Sequence, residues 1–263
     1  MKEAYQKVQE LILDAGRKTV EHGRSLVADI KADGSYQTNV DRMLEKEFQE
    51  VLLKLFPDDC ILGEEFGLIG ERAEDCGIWF VDPVDGTEAY YTGFPTYAVS
   101  LARYVNGKCD YSALYLPCSA MLFEYVENTV LLNGDSCSAL YPPRTDALFV
   151  PSHFYKEYCL RANRKIRSLG STCFHLAYVL LGMVEGALIT RANLWDIASV
   201  YPMLKANGIC LKTFDGKDIE PDFQGEDCTL SEAFIVCPEQ SFTKLTNEIE
   251  PGLSSSSGFF TGI

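Results

Sequence analysis

The sequence predicts a layered α/β protein, and three observations carry that expectation. Two amphipathic helical stretches come first. A run of short apolar strands follows, with one pair joined by Asn106-Gly107. From Arg144 onward, strands and helices alternate. The 263 residues allow one large domain or two small ones at roughly 100–200 residues each, enough to bury a sizeable core.

Taken in order, residues 3–22 read as a helix, because Tyr5, Val8, Ile12, Ala15 and Thr19 recur at three- and four-residue steps. Lys31-Ala32-Asp33-Gly34-Ser35 is turn chemistry. A second helix starts at Thr38 or Asn39, both good caps, with Asp41 in its first turn. Val40, Leu44, Phe48, Val51, Leu52 and Leu55 form its apolar face, and Pro57-Asp58-Asp59 ends it. The period then changes. Cys60-Ile61-Leu62 and Ile78-Trp79-Phe80-Val81 are short buried strands, the second stopping at Asp82. Tyr97–Val105 and Cys109–Leu116 form a hairpin through Asn106-Gly107. Met121–Val126 and Thr129–Leu132 are further strands. Tyr141-Pro142-Pro143-Arg144 reads as a boundary between lobes that share a cleft. Beyond it come a strand at 147–150, a helix at 153–161, a strand at 165–169, a helix at 171–184 and a strand at 187–190. A helix at 196–207 is stopped by Gly208, strands follow at 209–213 and 233–236, and a last helix spans 240–249. The serine-rich run 254–258 reads as a loose tail.

Composition narrows the function. With 23 Lys and Arg against 38 Asp and Glu, the formal charge is −15 and the pI about 4.6. Such a surface repels phosphate backbones and anionic lipid, so neither a nucleic-acid polymer nor a membrane is an expected partner. No run approaches the ~18 apolar residues of a membrane span. The first residues carry Glu3, Glu10 and Asp14 rather than an apolar leader, so a cytoplasmic protein is expected. The ten cysteines include no C-x-x-C and are expected to be reduced, mostly buried thiols. The three histidines include no H-E-x-x-H, which argues against a histidine-built zinc site.

The chemistry lies in clustered carboxylates. Asp82-Pro83-Val84-Asp85-Gly86-Thr87 follows an apolar strand, so Asp82 emerges at a sheet edge and Asp85 can turn back towards it. Gly86 permits close backbone approach, and the Gly86 and Thr87 amides can face a phosphate. Gly63-Glu64-Glu65 also follows a strand, Trp195-Asp196 opens a helix, and Asp41 sits near Thr38. Each alone has an ordinary explanation: an acidic turn, a solvated loop, a helix cap, a first-turn charge. Together they gather hard oxygen ligands at strand ends and helix starts, where α/β folds place ligand sites. Oxygen donors without His or Cys select magnesium, manganese or calcium. Magnesium held by carboxylates is suited to phosphate-ester hydrolysis.

The set G-E-E, D-P-V-D-G-T and W-D-I-A-S resembles the inositol monophosphatase family of magnesium-dependent, lithium-sensitive phosphatases. Gly93-Phe94-Pro95, Val99-Ser100-Leu101 and the K-x-D-G-S run leading to Asp41 match as well, so the resemblance spans about residues 5–240. It implies an αβαβα sandwich, usually a homodimer, and one phosphatase domain over 1–263 with a metal-binding lobe at 1–143 and a substrate-side lobe at 144–263. It implies that Glu64, Asp82, the Val84 carbonyl, Asp85 and Asp196 hold two or three magnesium ions, for which manganese could substitute. Thr87, oriented by Asp41, would position the attacking water with Glu64. Gly86 and Thr87 would hold the phosphate of a small phosphorylated substrate, and Gly170, Ser171 and Thr172 would contact its alcohol portion.

The sequence departs from the family's pattern before Trp195. Members acting on inositol phosphates often carry a Glu there, whereas this chain has the shorter run Leu188–Leu194 with Arg191, which suits a second anionic group or is simply a surface arginine. Inositol phosphates, sugar phosphates and nucleotides such as 3′-phosphoadenosine 5′-phosphate therefore all stay open as substrates. The alternative is a noncatalytic magnesium or phosphometabolite sensor on the same scaffold.

Overall fold

The two leading helices form where their apolar stripes require. The computed structural model describes residues 2–252, apart from 33, 73–74, 140 and 225–227; the serine-rich run 254–258 lies outside the described residues. Lys2–His22 buries Val8, Leu11, Ile12, Ala15 and Thr19. Asn39–Leu55 begins with a capping box, in which the Thr38 hydroxyl accepts from the Asp41 amide and the Asp41 carboxylate accepts from the Thr38 amide. This reciprocal pairing satisfies two helix-end donors and fixes Asp41 in a fully buried position.

Both helices cover one face of an eight-stranded sheet, ordered Asp135–Ser136, Thr129–Leu132, Met121–Val126, Lys108–Leu116, Ala98–Val105, Gly77–Asp85, Cys60–Gly63, Gly67–Ile69. Its pairs are antiparallel except for Cys60–Gly63 beside Gly77–Asp85. Strand alternation assigns the faces. Trp79, Val81, Val99, Leu101 and Tyr111 pack on Ile12, Leu44 and Phe48 of the helices. Ala98, Leu114, Leu116 and Phe123 point the other way, onto the Thr172–Leu180 and Tyr201–Ala206 helices. Those helices in turn rest on a five-stranded sheet ordered Ile166–Arg167, Leu148–Phe149, Gly186–Ile189, Phe234–Pro238, Ile209–Thr213. Ala187, Ile189, Phe234 and Val236 face inward to them. Leu188, Ile235 and Cys237 face outward, against Leu245 of the Phe242–Glu248 helix. The layers are αβαβα, as the resemblance implies. Among the described residues no helix is long and apolar enough to cross a membrane, and no two cysteines are joined in a disulfide. Only four of the ten are fully buried, fewer than expected.

The Asn106-Gly107 hairpin forms with both residues at positive φ, 49° and 72°, the geometry that matches strand twist. Three expected elements differ in extent. The strand expected to end at Val81 continues through Asp85, with its register against Ala98–Val105 shifting between Asp82 and Asp85. The expected 196–207 helix is broken into Leu194–Ile197 and Tyr201–Ala206. Pro202 has no N–H to donate to the Ala198 carbonyl, which instead accepts from Tyr104 Oη at 2.9 Å, while Ser112 Oγ takes the Ser199 carbonyl at 2.7 Å. The expected 153–161 helix is helical only over Phe154–Glu157. Tyr158–Leu160 pairs antiparallel with Ile249–Pro251, so a partner ninety residues away overrides local preference and also shortens the last helix.

Candidate functional site

Three carboxylates converge where the layers meet. One oxygen each from Asp82, Asp85 and Asp196 lies within 4.8 Å of the others. Asp82 and Asp85 come from the shifted end of the Gly77–Asp85 strand and are only 1 % and 6 % exposed. Asp196 is the third residue of the Leu194–Ile197 helix, where its carboxylate accepts from the Asn193 amide at 2.7 Å. It is therefore the acid of a capping box whose cap is Asn193, not the cap itself. Ser100 Oγ reaches the Trp195 carbonyl at 3.3 Å and Ser199 Oγ at 2.8 Å, pinning this short helix to the large sheet.

The surrounding bonds orient each acid. The Val84 amide donates to Asp82 Oδ1 at 3.0 Å. Asp85 accepts from the Ser171 hydroxyl and from the Cys173 and Thr172 amides at 2.7 and 3.3 Å, which ties it to the start of the Thr172–Leu180 helix. Ser171, expected to touch the substrate's alcohol portion, is thus committed to Asp85 and to capping Phe174 N. The two segments fit together only because Gly86 lacks a side chain. At φ 92°, a Cβ there would lie 2.8 Å from Ser171 Cβ and 3.0 Å from the Gly170 carbonyl oxygen.

Thr87 opens a short helix, and its hydroxyl lies 2.9 Å from Asp41 Oδ1 and 3.0 Å from the Val84 carbonyl oxygen. Glu64 stands beyond the end of its strand, with its amide on the Val81 carbonyl at 3.2 Å. Its carboxylate is outside the convergent three and pairs with Lys31 at 2.9 Å; Lys31 also reaches Glu65 at 3.0 Å.

Two contributors were not singled out from the sequence. Lys31 belongs to the turn and to the K-x-D-G-S run, without a role at the site expected of it. Glu45 is fully buried and accepts from the Glu65 and Phe66 amides at 2.8 and 3.0 Å, so it holds the Gly63-Glu64-Glu65 loop. Its signal was present: it is an acid adjoining Leu44 on the buried face of a helix.

The electrostatics show what the cluster lacks. Burial, followed by the charges of Glu64, Asp85 and Asp196, holds Asp82 well above the ordinary carboxylate range. Loss of water and the Asp85 charge do the same to Asp196. Burial lifts Asp85 to about 6 against the bonds from Ser171 and Cys173, and lifts Asp41 to about 6 against those from Thr38 and Thr87. Glu65 rises to about 7 through burial and the Glu64 charge. Carboxylates at this spacing repel one another unless a cation joins them. The donor set is all oxygen, which fits a hard divalent ion such as magnesium or manganese.

A cleft of about 250 Å³ is lined by Asp85 together with Ser171, Thr172, His153, Thr190 and Arg191. Gly170 and Arg191 line it too, so the structure gathers all the residues proposed for the alcohol side along one wall.

The family model for the inositol monophosphatase family matches residues 2–251. The chain belongs to that family. It is 33% identical over 213 residues to Nus factor SuhB of Vibrio cholerae, covering 76% of this chain and 79% of the relative. It is 28% identical over 191 residues to fructose-1,6-bisphosphatase/inositol-1-monophosphatase of Thermotoga maritima, covering 69% and 72%. The fold is that of a Thermotoga maritima IMPase structure, at TM-score 0.78 and 24% identity over 94% of this chain and 96% of that one.

Proposed function

We propose that this chain is a magnesium-dependent phosphomonoesterase acting on a small phosphorylated metabolite. The observation that carries the reading is the convergence of Asp82, Asp85 and Asp196 within 4.8 Å, two of them buried, beside a threonine hydroxyl bonded to a buried aspartate. Asp82, Asp85 and Asp196 would hold the metal, with Glu64 and the Val84 carbonyl completing the donor set. A bound divalent ion supplies positive charge for the phosphate and a lowered pKa for water. The chain does the positioning. Asp41 Oδ1 takes the Thr87 proton in a hydrogen bond, which leaves the Thr87 Oγ1 lone pairs to accept from the attacking water. Glu64 would be a further acceptor for that water, and the Gly86 and Thr87 backbone amides would face the phosphate. The alcohol portion then occupies the cleft lined by Gly170 and Thr172. The resemblance also carries a homodimer, which sedimentation would report.

The test is hydrolysis of a panel of inositol, sugar and nucleotide phosphates with magnesium, with manganese and with excess chelator. Metal-dependent release of phosphate from at least one is expected, and turnover unaffected by chelator ends the reading. A second reading follows from the likeness to proteins named Nus factor SuhB: a noncatalytic binding protein on the same scaffold. It predicts that magnesium and a phosphometabolite raise the melting temperature with no phosphate released.

A further inference from the structure

We propose that the alcohol half of the substrate carries a second oxyanion, a phosphate or a carboxylate, and that Arg191, which lines the cleft beside Asp85, reads it. This rests on the phosphatase reading above and goes beyond it to the class of substrate.

The first observation is where charge lies along the cleft. Among the described residues lining it, Asp85 is the one carboxylate, at the metal end. The same lining includes Arg191 and His153, with the Ser152 and Ser168 hydroxyls 3.1 Å apart. A chain of net charge −15 therefore directs a cation, not an acid, at whatever is attached to the phosphate. A neutral polyol would be better met by carboxylate acceptors for its hydroxyls.

The second observation is that Arg191 has no internal task. Arg103 is tied to Asp59 and Asp110, Arg164 to Glu185 and Glu248, and Arg161 to Glu250. Arg191 is exposed and makes no hydrogen bond or ion pair with the described residues. A guanidinium offers a planar pair of N–H donors that matches an oxyanion in a two-point contact.

The third is that its place is fixed by the segment that places Asp196. Arg191 follows the Gly186–Ile189 strand and precedes the Ala192–Asn193 strand, which pairs with Thr229–Leu230 and ends at the Asn193 cap. Only four residues separate it from Asp196, so one short segment places both the guanidinium and that metal-site acid. His153 stands beside it, with Nε2 3.3 Å from Thr190 Oγ1 and 3.5 Å from Glu157 Oε1. The other histidine of the cleft, His175, is already used: its Nε2 accepts from the Leu169 amide at 3.0 Å.

The test compares matched substrates on the magnesium-loaded protein: a sugar monophosphate, the corresponding sugar bisphosphate and the corresponding sugar-acid phosphate. A charge-assisted two-point contact corresponds to a KM roughly 10–100-fold lower for a doubly anionic substrate than for the neutral one. Arg191→Ala should bring that ratio close to one, and Arg191→Lys should restore part of it. Binding of non-hydrolysable phosphonate analogues, followed by calorimetry, should give the same ratio in Kd. A preference for the bisphosphate identifies the second group as phosphate, and a preference for the sugar acid identifies it as carboxylate. Hydrolysis with no discrimination, or a ratio unmoved by Arg191→Ala, overturns this inference and leaves the phosphatase reading standing. No metal-dependent hydrolysis of any of the three, together with no analogue binding, overturns both.

Discussion

Replacing Asp82 by Asn tests whether the acidic cluster is built for a cation. Asp82 is 1 % exposed and, among the described residues, makes one hydrogen bond, from the Val84 amide to Oδ1, which the Asn carbonyl can keep. In the metal-free protein its carboxylate faces two others across no more than 4.8 Å. Each neighbour at that distance repels it by about 3.5 kcal/mol at an effective dielectric of 20, about 7 kcal/mol for the two together. Protonation is the other route. A carboxylate that titrates at 3.8 when unfolded must take up a proton at pH 7, which costs about 4 kcal/mol. Protonation is the cheaper route and sets the penalty, so Asp82→Asn should stabilise the metal-free protein by up to about 4 kcal/mol. For a chain of this size that raises the melting temperature by up to roughly 8–16 °C. The pH dependence has a definite sign. The folded-state pKa of Asp82 lies well above 3.8, so its contribution to stability is full below pH 3.8 and is lost as pH rises. The advantage of Asn therefore grows from pH 4 to 7. With excess magnesium the order reverses, because a ligand that binds only the folded state stabilises it and the variant has lost a donor. The assay is calorimetric melting of both proteins at pH 4, 5.5 and 7, with chelator and with magnesium. A variant that melts lower than wild type in chelator, or that keeps the full magnesium-dependent shift, would refute the reasoning.

Three further outcomes are expected. Thr87→Ala should lower turnover by ~10²-fold or more while removing about 1 kcal/mol of hydrogen bonding, with Thr87→Ser recovering much of the loss; unchanged kcat would make Thr87 a structural residue. Asp85→Asn and Asp196→Asn should each weaken magnesium binding, and the double variant should lose less than the sum because residues serving one ion act as a unit; additive losses by titration calorimetry would count against a shared ion. Burial holds the His175 imidazole down at about 4, below its unfolded 6.5, so it favours folding above pH 6.5 and withdraws about 3 kcal/mol as pH falls towards 4; an NMR titration with a His175 midpoint near 6.5 would contradict this.

The residues alone carried the chemistry and the local structure. The apolar steps of the two leading helices, the Thr38 and Asp41 cap and the Asn106-Gly107 turn are short-range effects, so they form as read. The motif acids at 41, 64, 82, 85 and 196 pointed to a hard metal and a phosphate because carboxylate donors have that preference wherever they meet. Pro202 was visible in the sequence and sufficient to break the expected 196–207 helix. Glu45 and Lys31 were visible too, but nothing local says which loop a buried acid or a turn lysine will hold. Other features belong only to the tertiary structure. Tyr158–Leu160 is a strand because Ile249–Pro251 lies beside it. Ser171 serves Asp85 because Gly86 lets two distant backbones approach. His153 and Arg191 share a wall because separate strand ends of the second sheet open onto the same cleft. Caps, turns and periodicity are decided within a few residues. Pairing, the convergence of charges and the shape of a cleft depend on which distant segments pack together, and only the folded chain decides that.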